Sequence, residues 1–159
     1  MNDSEREVRD IMRRNRWLVL STAGKKGAPH SSVVMYVSDG KMVCILTSKE
    51  TLKARNIKEN NRVAVAIPFW KGFFHRMMKR VPPAEIHFSG EAEVLPYDDE
   101  RAKTMYRKVL NYELSKDAEQ DAVWIQIKPS SRIACYGVDV SLLTMRKPEK
   151  ARRTVQLSE

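Results

Sequence analysis

The stretch Ala84 to Leu95 constrains this chain more than any other: Ile86, Phe88, Gly90, Ala92 and Val94 share one face, and Glu85, His87, Ser89, Glu91 and Glu93 share the other. A period of two is the pattern of a β-strand with one face in a core and one in water, and a helix cannot produce it. Gly90 interrupts the row of large residues, which predicts a bulge or a close approach of backbone or ligand.

Other strands follow by the same reasoning. Trp17 to Thr22 ends at the turn Gly24-Lys25-Lys26-Gly27, and Pro29 opens an extended run from His30 to Val37. Asp39-Gly40 turns that run back into Met42 to Thr47, since glycine tolerates the positive φ of a tight hairpin. Three consecutive antiparallel strands are therefore expected. Arg62 to Ile67 reads as a strand stopped by Pro68, and Ala122 to Lys128 and Arg132 to Val138 as two more around Pro129-Ser130.

The helices are fewer. Ser4 and Glu7 form an S-x-x-E capping box ahead of Val8, Ile11 and Met12. Ser48 can cap a helix from about Lys49 to Glu59, with Leu52 and Ile57 inward. Asp98 and Asp99 suit a helix start before Ala102, Met105, Tyr106, Val109 and Leu110. Residues 69–83 follow no period and read as a long loop, with room for a short helical turn. The fold class is mainly β with peripheral helices: one domain over residues 1–145, then a basic tail over 146–159. So many antiparallel strands favour a barrel, which hides its edges; periodicity alone leaves an OB-like barrel open.

Composition narrows the function classes. The chain has 159 residues, 42% hydrophobic, enough for one core. No run approaches the roughly 18 apolar residues of a membrane span, and Met1 to Arg16 is charged rather than signal-like, so a cytoplasmic protein is expected. Cys44 and Cys135 lie in apolar runs and read as buried free thiols. His30, His75 and His87 are scattered, and no metal site is expected. The net charge of +9 raises the question of a polyanionic partner. Lys71, Arg76, Lys79 and Arg80 cluster without an acid, and Arg146, Lys147, Lys150, Arg152 and Arg153 load the end of the chain. A basic cradle for a phosphorylated cofactor accounts for part of this charge as well as nucleic acid does.

The run Leu46-Thr47-Ser48-Lys49-Glu50-Thr51-Leu52-Lys53, followed by Ala54 to Asn61 and Arg62-Val63, resembles the pyridoxamine 5'-phosphate oxidase-like pattern. There a strand ending in Thr leads to a Ser/Thr-x-Lys step, a short helix, a corner and an Arg-Val strand. Leu20-Ser21-Thr22, Gly27-Ala28-Pro29-His30 and the Asp-Gly hairpin match too, so the resemblance covers Arg16 to Pro68 well and the rest by strand order. It implies the FMN-binding antiparallel split β-barrel. A helix start offers free N–H groups, Ser48 and Thr51 offer hydroxyls, and Lys49 and Lys53 bring charge, as a phosphate site needs. An ordinary capped surface helix with solvated lysines uses the same residues.

By resemblance, Thr51 and Lys53 match the family's phosphate-binding Ser/Thr and Lys, and Thr47 its strand-end Thr. Ser31, Ser32, Val33 and Val34 fall on the strand that runs along the flavin ring. Leu52 stands where the oxidase that names the family has an Arg, leaving Arg55, Lys49 and Arg62 as candidates to supply that contact. The oxidase's C-terminal Trp and Arg segment has no match, since no Trp follows Trp124. The resemblance therefore points to short relatives that bind FMN or the deazaflavin F420, and implies a homodimer with cofactor sites at the interface. In such a dimer Trp70, Lys71, Phe73, Phe74, Arg76, Lys79 and Arg80 become a lid over a small-molecule substrate, or a loop packed on the partner subunit. Three functions stay open: a flavin-dependent oxidoreductase, a non-catalytic flavin- or haem-binding protein, and an OB-like nucleic-acid binder that stacks bases on the loop aromatics.

Overall fold

The computed structural model describes residues 1–110 and 120–158, and among them nine strands form one curled antiparallel sheet. The strands are β1 (Trp17–Ala23), β2 (Pro29–Met35), β3 (Val37–Ser38), β4 (Val43–Ser48), β5 (Arg62–Phe69), β6 (Ala84–Pro96), β7 (Ala122–Pro129), β8 (Arg132–Tyr136) and β9 (Arg152–Gln156). Their order is β2-β1-β5-β6-β7-β4-β3, with β8 on the remaining edge of β6 and β9 on β8. The curl brings β2 and β4 into contact without pairing them. This is a split barrel, not an OB-like one. Ile86, Phe88 and Ala92 of β6 are buried, as the alternation requires. A Cβ at Gly90 would lie 2.7 Å from the Lys128 carbonyl, so the glycine answers to a close backbone approach.

Among the described residues six helices decorate the sheet: α1 (Asp3–Arg14), α2 (Leu52–Glu59), α3 (Phe73–Met77), α4 (Glu100–Leu110), α5 (Leu142–Met145) and α6 (Pro148–Ala151). Val8 and Met12 of α1 join Leu18, Leu20, Ile45, Ile67, Ile86 and Ile127 in the main core. A second cluster under α4 surrounds Trp124, whose Nε1–H donates to the Tyr97 carbonyl at 2.9 Å. The side chain of Leu110 and residues 111–119 lie outside the described residues.

Several expectations change. The first cap is Asn2, whose Oδ1 accepts from Glu5 N–H; Ser4 Oγ and Glu7 Oε2 instead bind Asp139, far along the chain. The three consecutive strands do not form one meander, because the chain breaks at buried Tyr36 and sends β3 and β4 to the opposite border of the sheet. Helix α2 starts later than Lys49, with Thr51 as its cap, and Leu52 is 46% exposed rather than inward. Pro68 does not stop β5; it sits opposite Glu85, beyond the last residue paired to β1, where no ladder bond is lost. The described part of the expected tail, residues 146–158, does not trail, since α6 and β9 fold back onto β8.

Candidate functional site

Strand directions place the singled-out residues. Because β1 and β4 run one way and β2 and β5 the other, Thr22, the β1–β2 turn, the start of β2, the end of β4 and all of α2 gather at one end of the barrel. Asn56 Nδ2 donates to Thr22 Oγ1 at 3.0 Å, and Glu59 accepts from the Lys25 amide at 2.9 Å, pinning α2 across that end.

At the start of α2, Thr51 is the cap residue but offers no acceptor to the helix: its hydroxyl donates back to the Ser48 carbonyl at 2.9 Å. The first helical amides are thus without a side-chain cap. The first turn holds no acid and does hold Lys53, a cation placed against the positive end of the helix dipole. Such a placement is unfavourable unless an anion joins it. Among the described residues the half-buried Lys53 ammonium has no hydrogen-bond or ion-pair partner, and neither does the exposed Arg55 guanidinium two residues on.

The other residues of the corner are placed differently. Thr47 and Ser48 end β4 and are half-buried; Ser48 Oγ accepts from the Glu50 amide. Lys49 is engaged elsewhere, its ammonium donating to the Gln120 carbonyl at 2.9 Å. Arg62 stands past the far end of α2, with about 9 Å of helix between Lys53 and that end. Of the three candidates for the contact missing at Leu52, Arg55 is the one left free in the first turn.

Strand β2 pairs only with β1, so its outer edge carries backbone donors and acceptors that no strand takes. Ser31, Ser32, Val33 and Val34 divide by the strand period. Ser31 and Val33 face outward, Ser31 Oγ sharing a 2.8 Å hydrogen bond with Ser21 Oγ, while Ser32 and Val34 face in. On the inward face, Ser32 Oγ, His30 Nδ1 and Tyr36 Oη are shielded from solvent without a hydrogen-bond partner. Two such atoms on β2 and a third at Tyr36, just past its end, are unusual among the described residues, because buried polar groups ordinarily find partners. Burial also raises the Tyr36 phenol above its usual range. Sequence reading missed His30 and Tyr36; the even-numbered phase of β2 was their available signal.

A sequence profile of the family described as Pyridoxamine 5'-phosphate oxidase matches residues 4–134. The chain belongs to that family. No curated protein matches its sequence. Among solved structures, the General Stress Protein 26 from Bacillus anthracis str. Sterne is similar at 21% identity and TM-score 0.64, over 96% of this chain and 98% of that one. HutZ, the heme storage protein from Vibrio cholerae, is similar at 18% identity and TM-score 0.66, over 84% and 95%. An F420 reductase is similar at 19% identity and TM-score 0.56, over 76% and 91%. At such identities the likeness is one of fold.

The loop residues of this family member are not brought to the Lys53 corner. Strand β5 carries the chain to the opposite end of the barrel, where Trp70, Phe73, Phe74 and Arg76 are exposed. Lys71 is occupied: its ammonium donates to the carbonyls of Gly137 and Val140, each at 2.7 Å, and lies 3.7 Å from Glu7. Between the ends runs a row on the outer face that only strand register reveals: exposed Val33, His87 and Thr154 stand among half-buried Val19, Ala66 and Ala134 on six neighbouring strands. Burial pushes both Cys44 and Cys135 thiols up to about 11, so neither supplies a thiolate near neutral pH.

Proposed function

We propose that this chain is a homodimeric flavin-dependent oxidoreductase that uses FMN or F420 and acts on a small molecule. The observation that carries the reading is Lys53, without a partner among the described residues, in the acid-free, uncapped first turn of α2. With Thr51, Arg55 and the first amides of α2, it would hold a phosphate of the cofactor. Thr47 and Ser48 line the approach, and the free edge of β2 with Ser31 to Val34 would take the planar ring. The solvent-shielded Ser32 and His30 atoms fit a ligand with polar ring atoms.

When bound, the cofactor supplies the redox chemistry, and the protein binds, orients and shields it. The chain's own contribution is then electrostatic: fixed donors at the ring edge and full charge at the phosphate. Four of the six residues in the row from Val33 to Thr154 are apolar Val or Ala, which suits cover by a second copy and supports the dimer.

A second reading, a flavin or haem carrier without turnover, draws on the heme storage protein that shares the fold. One experiment separates these. The purified protein is examined by visible spectrum, the released small molecule by mass, and turnover by oxidation of reduced cofactor with generic acceptors. A flavin or deazaflavin spectrum with acceptor-dependent turnover is expected; a Soret band or binding without turnover would favour the carrier. Failure to bind either cofactor at micromolar concentration would sink the leading reading.

A further inference from the structure

The far end of the barrel carries a feature that the cofactor reading leaves unused. The segment Trp70 to Arg80 contains Lys71, Arg76, Lys79 and Arg80 and no acid. Within it the ordinary partition of side chains is inverted. His75 is fully buried, whereas Phe73, Phe74 and Met77 are 72%, 76% and 63% exposed.

The inversion is built, not left over from a slack loop. The Lys71 amide donates to His75 Nδ1 at 3.0 Å, and His75 Nε2 reaches the Pro82 carbonyl at 2.8 Å, which fixes the neutral tautomer with its proton on Nε2. Trp70 packs edge-on against that ring at 5.0 Å, and the Lys71 ammonium ties the segment to Gly137 and Val140. At about 100° per residue along α3, Phe73, Met77 and Phe74 fall within one arc pointing away from His75, with Arg76 at its flank. Arg76, Lys79 and Arg80 are exposed and have no ion-pair partner among the described residues. Arg146, Lys147 and Lys150, also exposed, follow the Gly137–Val140 stretch to which Lys71 is tied.

A held apolar crown that carries the unpaired cations Arg76, Lys79 and Arg80 in its own segment, with Asp3, Glu7 and Asp10 lying on its Trp70–Lys71 side, is complementary to one kind of surface. A second copy in a twofold contact would set the cations against themselves. Stacked bases need open ring faces, but Phe73 and Phe74 meet edge to face at 6.1 Å, and Met77 has no ring. We propose that residues 70–80 dock the protein on an anionic lipid surface. Phe73, Phe74 and Met77 enter the boundary between headgroups and acyl chains, and Arg76, Lys79 and Arg80 pair with the headgroup charge. The protein lies on the bilayer; no helix among the described residues is long and apolar enough to cross one.

The test uses the full chain with sedimented vesicles of phosphatidylcholine, alone or mixed with phosphatidylglycerol. Binding to the mixed vesicles only, weakened by added salt, is expected. Phe73→Ser with Phe74→Ser should weaken it about tenfold or more, and Lys79→Gln with Arg80→Gln about fivefold for each cation removed. Both pairs are exposed, so the melting temperature should hold and serve as the folding control. No binding to anionic vesicles, or binding indifferent to the Phe pair, would overturn the proposal. So would tight binding to a single-stranded oligonucleotide lost with the same pair, or a change of oligomeric state in that variant. Cofactor binding does not enter this outcome, so the two proposals stand or fall separately.

Discussion

The two ends of the barrel each hold a half-buried lysine, and the two lysines are used in opposite ways. Lys71 spends all its bonding on the fold, with two carbonyls at 2.7 Å and Glu7 at 3.7 Å. Lys53 spends none, having no partner among the described residues and facing a helix start that offers further donors. The same contrast extends to their surroundings. At the α1 end, Arg9 donates to Glu5, to the Gly40 carbonyl and to the Ser158 carbonyl, and Arg13 to the Asp39 carbonyl. At the α2 end, Arg55 is free and Ser32 and His30 keep shielded atoms unmatched. A cation whose bonds are complete holds a structure together; a cation left incomplete beside free amides keeps donors for the phosphate proposed above.

The largest expected effect separates the two lysines. Lys53→Ala should weaken cofactor binding by about 1.5–3 kcal/mol, the range for a hydrogen bond to a charged group, and leave unfolding stability nearly unchanged. Lys71→Ala should do the reverse: a loss of about 1–2 kcal/mol in chemical denaturation as two carbonyls lose their donor, with affinity intact. Calorimetric titration and denaturant midpoints on both variants decide the matter. A stability loss at Lys53 with unchanged affinity would erase the distinction between the ends.

Leu52 sharpens the same contrast by a smaller amount. It is an exposed apolar side chain at the first position of α2, where the family's oxidase carries an arginine. Leu52→Arg should tighten binding of a phosphorylated flavin by about tenfold, or ~1.4 kcal/mol. Without ligand, the added positive charge at the helix start should cost about 0.3–1 kcal/mol. Equal affinities of the two forms would show that the phosphate does not lie on this turn.

Much of the barrel was legible in the sequence because its strands announce themselves locally. The alternation of β6, the Gly24–Gly27 turn and the Asp39-Gly40 turn each depend on neighbouring residues, and the structure keeps them. What escaped depends on distant parts of the chain. Ser4 and Glu7 satisfy the rule for a capping box, but Asp139 competes for both, and Asn2 takes the cap. β9 has only Val155 buried and becomes a strand by pairing with β8, not by its own pattern. The residue types of the corner at Thr47 to Lys53, and its place at the start of a helix, were readable locally. The row from Val33 to Thr154 was not, since a row across six strands exists only once the register is set. Lys71 was misread for a similar reason, its partners lying 66 and 69 residues away.

The acid limb of the stability curve probes the completed end most directly. Glu5 is held at about 2, below its ordinary 4.5, chiefly because the Ser158 hydroxyl and amide donate to it, with Arg9 adding a further donor and its charge. A carboxylate depressed in the folded state stabilises that state while it is ionised in both folded and unfolded chains. Its contribution is therefore fully present above pH 4.5 and is lost as pH falls from 4.5 towards about 2. Glu5→Gln removes the titrating group, so the denaturant midpoint of that variant should fall less steeply across this window than that of the parent. The α2 end has no counterpart, because no carboxylate in its first turn is tied to Lys53. An acid profile of Glu5→Gln parallel to the parent's would mean that the links between the N-terminal helix and Ser158 do not hold this end closed, and that completed bonds there do not carry the stability assigned to them.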